Sequence, residues 1–315
     1  MRVFVKKLRF VVSLTTDDND YQQEQATSAL EAAARSGVDI ELLYAENDAV
    51  LQSQQLLKLI QASPESRPNG IIFEPVGGTA MPQVAKAAAT AGLGWVVLNR
   101  DVEYLADLRR SFKVPIFLIT SDHEEIGRIQ GKQITALLPK GGSILLVQGP
   151  AESLAARQRA TGMQEAKPAN VQVKAIKANW TEASAHKAVS SWLKLATSQH
   201  SALDAVVAQD DSMALGARKA FQEIHDSALR ERWLKAPFLG IDGMPKTGQA
   251  DVHRGLLAAT IIVPTNTGTG IEMLARALNN GVNPPEKTLT AAQSFPSIEE
   301  LARKRSQKAQ ASGAH

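Results

Sequence analysis

Short apolar runs alternate with amphipathic stretches along almost the whole chain, and this alternation limits the possible folds more than any other feature. Uninterrupted apolar runs of this length are typical of buried parallel strands. Stretches such as QATSALEAAARSG (25–37), which lie between the runs, have the period of amphipathic helices. The predicted strands are 8–14, 40–45, 70–75, 94–99, 115–120, 143–149, 171–176, 203–209, 238–242 and 258–263.

The strand–helix series predicts an α/β protein with open parallel sheets and right-handed crossovers. A chain of 315 residues with this many strands is better divided into two sheets than gathered into one. Residues 8 to about 120 form one series, and 121 to about 257 form a similar one. The join at ITSDHEEIG (119–127) is short, which indicates a close hinge and not a long flexible tether.

Composition excludes several classes of function. The chain has no cysteine, so it has no disulfides and no thiol nucleophile. Its net charge is only +3 and its Lys and Arg residues are scattered, which argues against nucleic-acid binding. The six histidines lack metal-ligand spacing, and no P-loop, dinucleotide fingerprint or nucleophile elbow is present. These features disfavour an enzyme, and we expect neither cofactor nor metal.

The two ends of the chain carry positive charge but suggest no targeting or binding role. The apolar stretch after Lys7 is broken by Arg9, so residues 8–14 are interpreted as the first strand and not as a secretory signal. Either the protein is cytoplasmic, or a secreted form is numbered without its signal. The last residues, RKRSQKAQASGAH (303–315), are predicted to form a solvated, fraying tail.

Polar side chains stand where the predicted strands end, and in open α/β sheets ligands bind beyond the carboxyl ends of the strands. Helix capping explains one or two acids in such places, but it does not require two arginines and a tryptophan. The strand ends offer Asp17–Tyr21, Glu74, Asn99–Asp101, Ser121–Asp122, Arg157 and Arg159, Asn179–Trp180, Gln209–Asp211, Asp242 and Thr265–Asn266.

Ordinary structural roles remain open for several of these residues. Asp242 precedes Gly243 and can simply shape a turn. Trp180 can be a core residue, and one of Arg157 and Arg159 should face solvent. For the neighbouring acids after the strand at 203–209, we expect Asp210 to point toward a ligand and Asp211 to cap the following helix.

Four segments, taken in order, resemble the type I periplasmic sugar-binding proteins, most closely the ribose-binding group, whose fold lactose-repressor-like regulators share. They are LAARQRATGMQEA, AVVAQDDSMALGARKAF, FLGIDGMPKTG and GLLAATI, and the similarity extends over about 8–290. The resemblance implies two Rossmann-like lobes with a three-crossover hinge that closes on a sugar held between them. It implies an N-terminal lobe of 1–120 with 262–288 and a C-terminal lobe of 121–261 with 289–315.

The resemblance also implies the ligand-binding residues. They are the polar and aromatic positions Asn19, Tyr21, Asn99, Arg100, Asp122, Arg159, Trp180, Asp210 and Asp242. Two positions depart from the family, which commonly has Asp-Arg at Asn99-Arg100 and Asn-Asp at Asp210-Asp211. The glutamine often found after the strand at 258–263 is also missing. These changes put the identity of the ligand in doubt.

Carboxylates and arginines suit a polyol, because a carboxylate accepts from neighbouring hydroxyls and Arg donates in a fixed fork. Tyr21 and Trp180 are the candidates to cover the apolar C–H faces of a sugar. The abundance of acids near the strand ends favours a neutral polyol or a cationic amino-sugar. The family role is that of a periplasmic monomer delivering its ligand to an ABC importer. The alternatives are a sensing module that reports to a receptor, kinase or regulator, and, third, an enzyme.

Overall fold

The chain divides into two compact units and passes between them three times. Unit 1 comprises Met1–Ser121 and Thr265–Thr290, and unit 2 comprises Asp122–Pro264 and Ala291–His315. The computed structural model describes residues 7–77, 81–195, 198 and 202–312, with side chains up to residue 307. In this part of the chain, no helix has both the length and the hydropathy needed to cross a membrane.

Strands occur at all ten predicted positions, and two more follow near the end of the chain. In chain order they are β1 Arg9–Leu14, β2 Asp39–Tyr44, β3 Gly70–Phe73, β4 Gly94–Leu98, β5 Ile116–Ser121, β6 Gly142–Gln148, β7 Val171–Lys177, β8 Ala205–Ala208, β9 Phe238–Leu239, β10 Thr260–Ile262, β11 Lys287–Thr290 and β12 Gln293–Phe295.

Helices connect most of these strands. They are α1 Asp20–Ser36, α2 Ala49–Gln61, α3 Pro82–Thr90, α4 Leu105–Ser111, α5 His123–Leu137, α6 Leu154–Ala166, α7 Glu182–Leu193, α8 Asp211–Gln222, α9 Ser227–Leu234, α10 Ala250–His253, α11 Thr267–Asn280 and α12 Ile298–Ser312. A π-helical turn, Pro245–Gln249, leads directly into α10.

The main sheet of each unit is parallel, which confirms the predicted α/β fold class. Unit 1 has six strands in the order β11-β5-β4-β3-β1-β2, and unit 2 has four in the order β7-β6-β8-β9. Alternate residues of β1 show how such sheets are buried. Val11 belongs to one apolar cluster with α2 and α3, whereas Phe10 and Val12 belong to another with α1 and α11. Because helices cover both faces, the central strands appear in the sequence as uninterrupted apolar runs.

Two expectations about individual elements were wrong, and one predicted strand has an additional partner. The run at 258–263 continues the parallel sheet of unit 2 through two parallel bridges, Leu239 with Ala259 and Asp242 with Ile262, while β10 also pairs antiparallel with β12. The runs at 40–45 and 171–176 are edge strands with largely accessible side chains, since an edge strand has a partner on one side only. Residues 303–312 are not frayed but helical in α12, which Leu301, 3 % exposed, anchors. Arg303 and Lys304 are exposed, as expected of a solvated segment, and residues 313–315 lie outside the described residues.

Two glycines allow α5 and α6 to pack at backbone distance. A Cβ atom on Gly162 of α6 would lie 1.9 Å from the carbonyl oxygen of Glu124 in α5. A Cβ atom on Gly127 of α5 would lie 2.1 Å from the carbonyl oxygen of Arg159 in α6. No real Cβ atom tolerates such distances from rigid backbone, so both positions require glycine. This contact fixes the backbone that carries Arg159.

Replacing Gly162 by alanine should lower the free energy of unfolding by about 3 kcal/mol, because the two helices must separate to admit the methyl group. Gly270→Ala in α11 is the matched control, since its Cβ atom would have 3.5 Å to its nearest neighbour. That control should be neutral or stabilise the protein by up to about 1 kcal/mol. Urea denaturation of the variants measures both changes, and equal stability of the two would contradict the expectation.

Candidate functional site

In unit 1, the first strand end leads into a capped helix. Asn19 has extended backbone angles and is the N-cap of α1, where its Oδ1 accepts from the backbone N–H of Tyr21 at 2.9 Å and of Gln22 at 3.3 Å. Tyr21 is buried, with 8 % of its surface exposed. The cap therefore fixes the start of α1, and with it the two side chains predicted to bind the ligand from this strand end.

A buried carboxylate organises the neighbouring strand ends of unit 1. Glu74 directly follows β3, and its Oε2 accepts from Gln22 Nε2 at 3.0 Å and from Asn99 Nδ2 at 2.9 Å. Its Oε1 lies 3.7 Å from Nη2 of Arg100. We call Gln22, Glu74, Asn99, Arg100 and Asn266 the Glu74 cluster. Two residues predicted to bind the ligand, Asn99 and Arg100, thus share one carboxylate.

The amide of Asn99 has a fixed orientation within this cluster. Its Nδ2 donates to Glu74, while its Oδ1 accepts from Asn266 Nδ2 at 2.6 Å. Asn266 is held in turn because its backbone N–H donates to Gln25 Oε1 at 2.8 Å. Glu74, Gln22 and Asn266 were not among the predicted ligand residues. For Glu74 and Asn266 a place beside a strand end was the only signal, and for Gln22 there was none, because nothing in the sequence shows which polar groups bond to one another.

In unit 2, Arg159 lies on α6 and is buried, with 7 % relative exposure. Its Nη1 donates to the backbone oxygen of Gln209 at 2.5 Å. Gln209 is itself fixed, since its Oε1 accepts from Gly149 N and its Nε2 donates to Ala156 O, each at 2.9 Å. The Nε of Arg159 is buried and has no hydrogen-bond partner among the described residues. An unsatisfied buried donor on a cation suits an oxygen-rich ligand.

The structure brings Trp180 together with Arg159. The guanidinium carbon of Arg159 lies 5.7 Å from the centre of the Trp180 ring, within range of a cation–π contact. Gly149 makes room for the ring, because a Cβ atom there would lie 2.4 Å from two of its carbons. Trp180 is only partly buried. It is therefore not an ordinary core tryptophan.

For the neighbouring acids at 210 and 211, the expected capping roles were reversed. Asp210 is the N-cap of α8, and its Oδ1 accepts from the backbone N–H of Met213 at 2.5 Å. Asp211 lies in the first turn but turns into unit 2, where its Oδ2 accepts from Gly243 N at 2.8 Å and its Oδ1 from Thr260 Oγ1 at 2.7 Å. The sequence predicted one cap in the pair but could not indicate which acid a distant loop would bind.

Asp211 sits in a cradle that only glycines permit. Cβ atoms on Gly240 and on Gly248 would each lie 2.0 Å from one of its carboxylate oxygens. Burial raises the pKa of Asp211 well above its ordinary value of 3.8, although the bonds from Thr260 and Gly243 oppose the shift. Asp211 therefore joins α8 to the loop that carries Asp242, and its role is structural.

The raised pKa predicts a pH dependence of stability. The folded state binds the Asp211 proton more tightly than the unfolded state, so the free energy of unfolding should fall as pH rises from about 3.8 through the raised pKa. One proton contributes at most about 1.4 kcal/mol per pH unit. In Asp211→Asn, whose amide can donate to Thr260 and accept from Gly243, this part of the slope should vanish. Urea denaturation at several pH values measures it, and identical slopes would contradict the assignment.

Three of the predicted ligand residues share an unusual backbone conformation. Asn99, Trp180 and Asp242 have φ angles of 57°, 62° and 111°. Among the described non-glycine residues, only Glu46, Asn47 and Met81 also have positive φ. Such conformations cost about 1–3 kcal/mol and persist where the surrounding structure determines them, often at ligand sites. Asp242 is also buried, with 8 % exposure, and is held by its backbone bond to Ile261 at 2.9 Å.

Asp122 caps a helix, and Arg157 has the solvent-facing role that the sequence left open for one arginine of its pair. Asp122 is an exposed N-cap of α5, with its Oδ1 accepting from Glu125 N at 2.9 Å. Arg157 is the exposed arginine of the pair on α6, and its Nη1 donates to Ala151 O. Within the described residues, no group of three His, Cys, Asp or Glu side chains could hold a metal ion.

Comparison with known proteins shows the family to which most of this chain belongs. A family described as "Periplasmic binding protein domain" matches residues 10–281. The ribose import binding protein of Escherichia coli (strain K12) is 29 % identical over 210 residues, covering 66 % of this chain and 65 % of that protein. A xylitol-binding protein of Mycolicibacterium smegmatis is 29 % identical over 212 residues, covering 65 % of this chain and 54 % of the relative. The match thus spans less than two thirds of each relative.

A solved structure supports the fold over nearly the full length. It is the periplasmic binding protein component of the arabinose ABC transporter from Shewanella sp. ANA-3, bound to alpha and beta-L-arabinofuranose. The TM-score is 0.77 at 22 % identity, and 98 % of each chain is covered. At this identity the likeness bears on the fold alone.

Proposed function

Because the chain belongs to the periplasmic binding protein domain family, we propose that it binds a small polyhydroxylated molecule, a sugar or polyol, and delivers it to an ABC importer. The observation that carries the proposal is the Arg159–Trp180 pair. A buried guanidinium with an unsatisfied Nε lies beside a partly exposed aromatic ring. Sugars need this combination, because hydroxyls accept from the guanidinium while a C–H face packs on the ring.

The strand ends of unit 1 carry further groups that suit a polyol. Asn19, Tyr21, Asn99 and Arg100 offer amides, an aromatic and a second guanidinium, whose charge is balanced by Glu74. Within unit 2, Asp122, Asp210 and Asp242 add carboxylates that accept from hydroxyls. Each hydrogen bond to a charged group contributes about 1.5–3 kcal/mol, so a few of them support a dissociation constant near about 1 μM.

The charge of these groups favours a neutral ligand. Arg100 has Glu74 beside it, and Arg159 is the other guanidinium among the proposed ligand residues, which also include three aspartates. An anionic ligand would meet those carboxylates, whereas a neutral polyol or a cationic amino-sugar would not be repelled. The names of the relatives agree, since they refer to ribose and to xylitol.

The remaining parts of the proposal follow from the family. We place the protein in the periplasm, as a monomeric binding protein without catalytic activity, whose partner is the membrane part of an importer. Isothermal titration calorimetry against ribose, allose, arabinose, xylitol and myo-inositol tests the ligand class. Binding of at least one compound with micromolar affinity is expected, and silence across the panel would contradict a sugar or polyol ligand.

The importer and sensor roles differ in what the bound protein stimulates. If the protein serves an importer, cells that lack it should not take up the ligand identified in the panel, and uptake should recover when the protein is supplied again. Unchanged uptake together with an altered transcriptional response to the same ligand would instead favour a sensing module.

A further inference from the structure

Unit 2 contains a cavity at the end of its sheet opposite to Asp210 and Asp242. It has a volume of about 480 Å³ and is lined by Ala236 and Pro237 before β9, by Ala258 before β10, by the end of α5 and by α12. The lining therefore lies at the amino ends of the strands, whereas the proposed sugar-binding residues lie at their carboxyl ends. The volume falls within the range of about 300–1,000 Å³ that small-molecule sites occupy.

The walls of this cavity are apolar, but its charged residues have one sign. Arg218, Lys235, Lys304 and Arg305 line it, and no lining residue is acidic. Lys304 pairs with Glu300 at 2.8 Å. The other three cations have no ion pair among the described residues. Such a combination has an excess of positive charge beside apolar surface.

Among the cations that line this cavity, Arg218 packs against an aromatic ring of the wall. Its guanidinium carbon lies 5.3 Å from the centre of the Phe238 ring, and its Nε is buried without a hydrogen-bond partner in the described part of the chain. Partial burial lowers the pKa of Arg218, and nothing opposes that shift. A partly buried guanidinium with an unsatisfied Nε–H and no ion pair is stabilised by an anion that accepts from it.

We propose that this cavity is a second ligand site, which binds a small amphipathic anion, an apolar body with one carboxylate, sulfonate or phosphate group. The apolar lining covers the body, and Arg218 receives the anionic group with support from Lys235 and Arg305. The proposal does not depend on the sugar-binding function, because its residues and those of the strand ends are separate sets.

Two fluorescent probes of nearly equal shape test the proposal in the full chain. They are 8-anilinonaphthalene-1-sulfonate, which is an anion, and N-phenyl-1-naphthylamine, which is its neutral counterpart. We expect the anionic probe to bind with enhanced fluorescence. Arg218→Met keeps the apolar stem of the side chain but removes its charge. It should weaken the binding of the anionic probe about tenfold, the usual effect of losing one charge-assisted hydrogen bond. Ala258→Phe, which fills the cavity, should weaken the binding of both probes.

Two controls distinguish this site from others. Lys219→Met removes an exposed cation that pairs with Glu182, so it should leave both affinities within twofold of wild type. Arg159→Ala should leave them unchanged even where it abolishes sugar binding. Circular dichroism checks the fold of each variant, and if Ala258→Phe does not fold, Arg218→Met decides alone. Equal affinity for the anionic probe in wild type and Arg218→Met, or no binding to wild type, would overturn the proposal.

Discussion

Arg159→Ala is expected to bind the sugar or polyol of the wild-type protein at least tenfold more weakly, a loss of at least about 1.4 kcal/mol. The reason is the burial of the guanidinium. Its Nη1 bonds to the carbonyl oxygen of Gln209, and its unsatisfied Nε is a donor that no described residue uses. Removing it also takes away the cation beside the Trp180 ring.

Arg157→Ala provides the matched control for this prediction. Arg157 lies on the same helix and has the same charge, but it is exposed, and among the described residues its side chain bonds to a nearby backbone carbonyl alone. Titration calorimetry of both variants with the same compound should show unchanged affinity for Arg157→Ala. Equal affinities in the two variants would show that Arg159 does not contact the ligand and that the proposed site is misplaced.

Glu74→Gln should also weaken ligand binding about tenfold, although we do not propose that Glu74 is the main contact to the ligand. The carbonyl oxygen of the amide can take the place of Oε2 and keep the bonds from Gln22 Nε2 and Asn99 Nδ2, but its NH₂ group then takes the place of Oε1 and faces the Arg100 guanidinium, which is another donor. Arg100 would also lose its nearby negative charge. Leaving donors unpaired in a buried cluster costs about 1–3 kcal/mol.

Asn99→Asp in the same chain should restore part of that loss. In the double variant, the NH₂ group introduced at position 74 can donate to the carboxylate introduced at position 99, to which Asn266 still donates, although Gln22 Nε2 then loses its acceptor. The charge beside Arg100 is restored as well. Asn99→Asp alone should be harmful, because it sets two carboxylates side by side. Calorimetry on this double-mutant cycle tests the coupling, and additive losses would contradict the idea that positions 74 and 99 share one charge.

This cycle bears on a departure from the family, which commonly has Asp-Arg where this chain has Asn99-Arg100. The structure shows a carboxylate still present beside Arg100, supplied by Glu74 from the neighbouring strand end. Unit 1 has therefore kept a negative charge at this point. The sequence placed Glu74 among the strand-end acids without any sign that it bonds to Asn99.

Elements with strong periodicity were predictable, and those set by pairing were not. The central strands were located to within a few residues. Helices bury both faces of these strands, so nearly all of their residues are apolar and form an uninterrupted run in the sequence. Strands β11 and β12 were not predicted, because they are short and rich in polar residues and so form no apolar run. The antiparallel pairing of β10 was likewise missed, because an apolar run shows that a strand is buried but not which strand lies beside it.

The sequence by itself determined the α/β class, the alternation of strands and helices, and the strand ends at which polar residues gather, because each of these depends on local period and capping chemistry. Only the tertiary structure decided which groups meet: Glu74 with Asn99, Arg159 with Trp180, and Asp211 with a loop more than thirty residues away. The physical reason is that hydrogen bonds and ring contacts depend on distances of a few ångströms between segments far apart in the chain. No local pattern records those distances.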